Sequence, residues 1–217
     1  MKILLITGGS RGIGLATVKE FLNNKYKVIT TSTSGKIPLQ NENLTAYQLD
    51  LGDPDSIASF IKKLNDIKID VLINNAGIAN KKEAKIDIDE LRRTLEVDVI
   101  GMVSLTTQLL PSMNANGVII NISSEFGSFT EDWGNRVPSY RIAKAAINMF
   151  TRNYYDAEEV KSKNIKVYSF DPGWVKTDMG GPEAERDPEE PAKELLALAE
   201  SGKESGLFYR GLKIRDW

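Results

Sequence analysis

Short apolar runs alternate along the whole chain with stretches in which apolar residues recur at helical spacing. Residues 3–6, 27–31, 44–49, 69–73, 117–122, 165–170 and 206–209 are the short runs. Runs of that length, rich in Ile, Val, Leu and aromatics, suit strands buried on both faces of a parallel sheet. Between them lie Leu15, Val18 and Leu22; then Ile57, Phe60, Ile61 and Leu64; then Leu91, Leu95, Met102, Leu105 and Leu109. A three-to-four spacing of this kind predicts amphipathic helices. Asp53-Pro54 marks one helix start, with Asp as the cap and proline in the first turn, and Pro111 marks the end of the long third helix. A further helix is predicted from Pro138 to about Lys161 and a last one over Glu189–Glu200. Residues 174–191, rich in Gly, Pro and acids, read as a mobile loop. Strands alternating with helices predict an α/β fold: a doubly wound parallel sheet of about seven strands with helices on both faces, as a single domain over residues 1–217.

Composition changes that picture mainly by exclusion. The chain has 217 residues and no cysteine, which removes disulfides and thiolate chemistry. It also has no histidine, which removes Ser–His triads, histidine general bases and ordinary zinc-dehydrogenase sites. Any proton transfer must therefore use Tyr, Lys, Asp, Glu or water, and no metal is expected. The formal charge is −2 with no basic cluster, so neither nucleic acid nor an anionic membrane is expected as a partner. Residues 1–6 are too short for a signal peptide before the glycine turn begins, and a cytoplasmic location is expected.

Candidate chemistry begins at residues 2–14, KILLITGGSRGIG. A strand, a turn carrying Gly8, Gly12 and Gly14, and a helix make half of a dinucleotide-binding βαβ unit. A Cβ at such glycines would hold the backbone away from a pyrophosphate, and the helix N-terminus offers it free N–H groups. A glycine-rich turn without any ligand is the bland alternative. Asn74-Asn75-Ala76-Gly77 closes the fourth strand, on the side of the sheet where ligands of such folds sit, although an ordinary turn favours the same residues. Ser123-Ser124 ends the fifth strand at the same edge. Tyr140 and Lys144 lie four apart on one helix face. A tyrosine holds its proton to about pH 10, and a lysine cation one turn away favours the phenolate. That pair suits a proton donor in a protein without histidine, whereas a solvated lysine beside a packed tyrosine is the commoner use of the pattern.

Thr7-Gly8-x-x-x-Gly12-x-Gly14, Asn74-Asn75-Ala76-Gly77, Ser124, Tyr140-x-x-x-Lys144 and Pro172-Gly173 occur together and in order. In this the sequence resembles the short-chain dehydrogenase/reductases over essentially its whole length. Residues 171–181 and the ending from Ser205 to Trp217 look like the C-factor and sniffer-type carbonyl reductase branch. The resemblance implies a Rossmann-type sheet, NADP as cofactor with NAD as the alternative, a small-molecule carbonyl or alcohol substrate, and a homodimer or homotetramer. It implies that Tyr140 donates or accepts the proton, that Lys144 holds the ribose and depresses the tyrosine, and that Ser124 binds the substrate oxygen. Gly8, Ser10, Arg11, Gly12, Ile13, Gly14, Ser32, Thr33, Asp50, Leu51, Asn74, Ala76, Gly77, Tyr140, Lys144, Pro172, Gly173, Val175 and Thr177 would line the dinucleotide. Two departures stand out. Asp98 occupies the place of the family's catalytic Asn. Ser32-Thr33 offers neither the acid typical of NAD use nor the usual arginine of NADP use. Asp98 falls within the apolar stripe of its helix and is expected to face inward, protonated or paired with Lys144. A cofactor-binding regulator that turns nothing over is the competing reading that Asp98 keeps open.

Overall fold

The computed structural model describes residues 1–79 and 85–217. One eight-stranded sheet runs through the molecule in the order β3-β2-β1-β4-β5-β6-β7-β8. Its strands are β1 (Ile3–Ile6), β2 (Lys27–Ser32), β3 (Leu44–Gln48), β4 (Ile69–Asn74), β5 (Met113–Ile122), β6 (Lys166–Phe170), β7 (Leu207–Arg210) and β8 (Lys213–Arg215). All pairings are parallel except β7 with β8, which is antiparallel. β8 is the strand beyond the seven expected. Three residues are too few to show alternation, and it forms because β7 offers it a free edge. Among the described residues no helix is long and apolar enough to cross a membrane.

Successive strand residues feed two cores, one on each face of the sheet. Leu4, Ile6, Ile73, Ile120 and Phe170 pack on one side with Val18, Phe21, Leu195 and Leu198, which come from α1 (Gly12–Asn23) and α7 (Glu189–Glu200). Leu5, Leu72, Ile119 and Val167 pack on the other with Ile57, Phe60, Leu105 and Leu109, from α2 (Pro54–Leu64) and α4 (Met102–Leu109). Burial on both faces is why the strands read as continuous apolar runs rather than as alternating ones. α2 begins as its sequence predicts: the Asp53 carboxylate accepts the Asp55 amide at 3.0 Å with Pro54 in the first turn. The sheet order reverses between β1 and β4, which opens a crevice at their carboxyl ends.

Two predicted helices differ from the observed ones. The long third helix is α3 (Ile88–Leu95), a π-helical stretch at Glu96–Gly101 and then α4, before a 3-10 turn at Leu110–Ser112 that carries Pro111. Widening the turn keeps both Asp98 and Met102 buried and brings Gly101 against the chain, where a Cβ would lie 2.0 Å from the Leu51 carbonyl oxygen. The helix begun at Pro138 is α5 (Pro138–Tyr154); it stops there, and α6 (Glu158–Ser162) follows. Ala157 has extended backbone between the two, and the break lets Val160 turn fully into the core. The 174–188 segment is irregular but tethered. Arg186 pairs with Glu194 at 2.6 Å and donates to the Pro172 carbonyl at 2.8 Å, while the Trp174 indole N–H donates to the Gly180 carbonyl.

Candidate active site

The carboxyl ends of β1 and β4 are stitched together at the crevice. The Thr7 hydroxyl oxygen accepts the backbone amides of Asn75 and Ala76 at 3.0 and 2.9 Å, and the Asn75 side-chain amide donates to the Thr7 and Gly8 carbonyls. Gly8 takes φ +73°, and a Cβ there would meet the Ala76 backbone at 3.0 Å. At Gly14 a Cβ would lie 2.2 Å from the Gly8 carbonyl oxygen, so the loop can turn this tightly only without one. α1 carries no acidic residue in its first turn and its cap, Arg11, makes no side-chain capping bond. Its first amides therefore face the crevice without an internal anion.

From this loop a cleft of about 730 Å³ runs across the sheet edge. It brings together Gly8, Ser10, Arg11, Gly12, Ile13, Gly14, Ser32, Thr33, Asp50, Leu51, Ala76, Gly77, Pro172, Gly173, Val175 and Thr177 with Ser124, Tyr140 and Lys144. Of the residues singled out in the sequence, Asn74 and Asp98 lie outside its lining. Asn74 points under the sheet, where its side-chain amide donates to Thr106 Oγ1 at 2.8 Å and Asn121 Oδ1 at 2.7 Å. As the last residue of β4 it faces the helix layer, and Asn75 takes the crevice position instead. Asp98 is buried behind the cleft wall, as its place in the apolar stripe predicts. Ser32 reaches the cleft, but its hydroxyl donates to the Lys36 carbonyl at 2.9 Å. Arg11 pairs across the opening with Asp178 at 3.0 Å, both side chains about three-quarters exposed.

Ser124, Tyr140 and Lys144 share the wall opposite the glycine loop. Ser124 caps the 3-10 turn Glu125–Gly127, its Oγ accepting the Phe126 amide at 3.2 Å. Ser123, by contrast, donates at 3.2 Å to the Lys144 carbonyl and so ties the end of β5 to α5. The adjacent serines thus divide between fixing the helix and facing the cleft. Lys144 is buried, donates to the Ile122 carbonyl at 3.1 Å and places its ammonium 5.2 Å from the Tyr140 ring centre. Burial pushes the Tyr140 phenol above its ordinary value, while Lys144 and the Ser124 hydroxyl pull it back and the carboxylates of Asp98 and Asp171 add to the rise. The sequence expectation that the lysine lowers the tyrosine holds for the lysine's own contribution, and desolvation outweighs it. Burial likewise raises Asp98, against the pull of Lys144.

Much of the remaining lining comes from the loops 125–136 and 174–191, whose Phe126, Phe129, Trp133 and Trp174 suggest an apolar or aromatic pocket from the sequence. Phe126, Trp133 and Trp174 reach the cleft, whereas Phe129 stays exposed outside it. Phe126 and Trp133 pack at 4.8 Å, and Phe126 meets the Tyr140 ring edge-on at 6.3 Å. Arg93, Val97, Glu125, Asn135, Arg136 and Asp178 also line the cleft. Behind them, Arg210 bridges Asp171 and Glu125 at 2.6 Å each, and Arg215 pairs with Asp171 at 2.9 Å and with Glu131. This arginine pair fastens the end of β6 and the 125–136 loop to the C-terminal hairpin.

Comparison with known proteins bears on the whole chain. Human carbonyl reductase [NADPH] 1 is 29% identical over an alignment covering 99% of this chain and 98% of its own. The Sniffer carbonyl reductase of D. melanogaster superposes with a TM-score of 0.88 at 27% identity, covering both chains completely. A short-chain dehydrogenase/reductase from Burkholderia multivorans, solved with bound NADP, gives 0.89 at 25% identity and covers 100% of this chain and 99% of its own. The family model described as short chain dehydrogenase matches residues 2–188, and on that match, with the sheet order and crevice above, the chain belongs to the short-chain dehydrogenase family.

Proposed function

We propose that the protein is an NADP(H)-preferring oxidoreductase that interconverts a carbonyl and its alcohol, with Tyr140 as proton donor and acceptor. The observation that carries this reading is one cleft that joins a glycine loop with no room for a Cβ to a wall bearing Ser124, Tyr140 and Lys144. The loop fits a pyrophosphate: its glycines allow close approach, and the amides of α1 face it. NADPH, when bound, supplies the hydride. Lys144, next to Tyr140 on the cleft wall, would hold the ribose, and Ser124 would donate to the carbonyl oxygen and fix its approach. Tyr140 would give that oxygen its proton. Phe126, Trp133 and Trp174 favour a substrate with an apolar or aromatic arm.

Preference for NADP rests on three supports. No carboxylate follows β2 to bond a ribose 2′-hydroxyl or repel a 2′-phosphate. Arg11 stands in the glycine loop, where a guanidinium suits phosphate. NADP or NADPH is also in the descriptions of the Burkholderia structure and human carbonyl reductase 1. The pairing of Asp98 with Lys144 at 3.6 Å keeps that lysine in place beside the tyrosine, which favours a working enzyme over a cofactor-binding regulator. Calorimetric titration with NADPH and NADH, followed by NADPH consumption against a broad carbonyl panel, tests the proposal. Tyr140→Phe should lose about 10²–10⁴ in turnover while NADPH binding persists. Equal or tighter NADH binding would refute the preference, and substantial activity in the phenylalanine variant would refute the mechanism.

A further inference from the structure

Asp98 and Lys144 form a buried ion pair directly behind the tyrosine wall. Their side chains are 1% and 6% exposed and the charged atoms are 3.6 Å apart. Asp98 Oδ1 accepts the Ile78 amide at 2.8 Å. Oδ2, the oxygen nearest the lysine, has no hydrogen-bond partner among the described residues. Gly77 lies over it, so closely that a Cβ would stand 3.0 Å away. A buried carboxylate and a buried ammonium hold their charges through each other, because separating them leaves a lone charge in a poorly solvated site.

Three charged groups act on the Tyr140 phenol: Lys144 from its own helix, Asp98 from the π-helical stretch and Asp171 from the end of β6. The Ser124 hydroxyl from β5 is the remaining polar neighbour. Asp171 is neutralised by Arg210 and Arg215 at 2.6 and 2.9 Å. Burial is the largest influence on the phenol. On top of it, the Lys144 ammonium stands 5.2 Å from the Tyr140 ring centre with the Asp98 carboxylate 3.6 Å from that ammonium, so these two are the charges left to tune it.

Building on the oxidoreductase reading above, we propose that Asp98 is a positioning residue that offsets the Lys144 charge, holds Tyr140 in its proton-bearing form and biases the site toward carbonyl reduction. In that direction the carbonyl carbon accepts a hydride from NADPH, the π pair of the C=O bond moves to oxygen, and the oxygen takes the Tyr140 proton. NADP⁺, the alcohol and a tyrosinate result, and water reprotonates the tyrosinate. Oxidation needs the tyrosinate at the start, to take the alcohol proton while the hydride leaves for NADP⁺. A site that disfavours the tyrosinate is thus ready for reduction and waits for high pH to run backwards.

The test reads Tyr140 directly. Ultraviolet titration of the tyrosinate band, as the difference between wild type and Tyr140→Phe, gives the Tyr140 midpoint without substrate or cofactor. The same difference is measured between Asp98→Asn and the Asp98→Asn/Tyr140→Phe double variant, with Asp98→Ser as a second neutral replacement should the first fail to fold. The wild-type midpoint should lie above the value of about 10 for free tyrosine. In the neutral variants it should fall by about one pH unit. The rising limb of the alcohol-oxidation profile should move down equally, with about tenfold faster oxidation near neutrality. A midpoint unmoved or raised in both neutral variants overturns the proposal. That result leaves the oxidoreductase reading standing, whereas a wild type silent on every carbonyl and alcohol defeats that reading.

Discussion

Asn121 is the residue whose removal should most clearly reveal what fixes the site to the sheet. It is fully buried at the carboxyl end of β5. Its Oδ1 accepts the Asn74 amide at 2.7 Å and its own amide donates to Thr151 Oγ1 at 2.9 Å. Thr106 Oγ1 accepts the other Asn74 proton at 2.8 Å and donates to the Met102 carbonyl, while Ser169 donates to Thr151 at 2.8 Å. This polar chain crosses β4, β5 and β6 and clamps α4 and α5 beneath the cleft. Asn121→Ala removes two buried bonds, each worth about 1 kcal/mol, and leaves Asn74 and Thr151, both buried, each short of one partner. With a small cavity added, the loss should be about 2–3 kcal/mol. For a chain of this size that lowers Tm by roughly 4–12 °C. Urea unfolding should show a lower midpoint at unchanged slope. A loss below about 0.5 kcal/mol would refute the idea that this chain of side chains holds α5 in register.

Other consequences are more local. Tyr154 stacks on Phe150 at 4.8 Å but buries its hydroxyl without a partner among the described residues, so Tyr154→Phe should be neutral or stabilising at pH 7, and a clear loss of stability would count against that. Burial, with the nearby Glu159 charge, pushes its phenol up to about 12. Its proton is held more tightly folded than unfolded, so its contribution is intact below about pH 10 and is lost as pH rises toward 12. The phenylalanine variant should lose stability less steeply across that window, and equal slopes would refute the assignment. Arg215→Met should cost about 1–3 kcal/mol by unpairing Glu131 and leaving the buried Asp171 to Arg210 alone; an unchanged urea midpoint would mean that β8 is decorative. Ile100 on the π-helical stretch and Met149 on α5 stay more than half exposed, an apolar surface that suits the homodimer or homotetramer the resemblance implies. Light scattering should therefore give a dimer or tetramer at micromolar concentration, and a clean monomer would retire the expectation.

What the sequence made legible follows the range of each interaction. The glycine turn, Asp53-Pro54 and the doubly buried strand runs are local statements, and each holds at its own residues. Ser124, Tyr140 and Lys144 lie on one wall because a strand end and a helix face are simple consequences of spacing. Asn74 shows the limit. Its motif does close β4 at the crevice, but whether it or Asn75 faces the crevice depends on the parity of the last β4 residue, which the strand boundary decides. The π-helical stretch was illegible for a related reason: Leu95, Asp98 and Met102 read as one apolar stripe at α-helical spacing, and the close packing of Gly101 on Leu51 that accompanies the widened turn is a tertiary contact with no local signal.

The C-terminal arginines mark the deeper boundary. Arg210 and Arg215 have no local signal for their partners, since an isolated arginine has no periodicity and Glu125, Glu131 and Asp171 lie far away in the chain. In the fold, the parallel pairing of β6 with β7 sets Phe170 opposite Tyr209, which puts Arg210 beside Asp171, the residue that follows the strand. The antiparallel return of β8 then pairs Arg215 with Phe208 and swings a second guanidinium onto the same carboxylate. Asp171 in turn precedes Pro172 and Gly173, which line the cleft, and Glu125 follows Ser124. Two unremarkable residues thereby neutralise a carboxylate that bears on Tyr140 and anchor the loop that carries Phe126 and Trp133. The proton-transfer wall and the substrate wall are held from the same hairpin, so changes in that hairpin should alter substrate choice before they alter the cofactor half of the cleft.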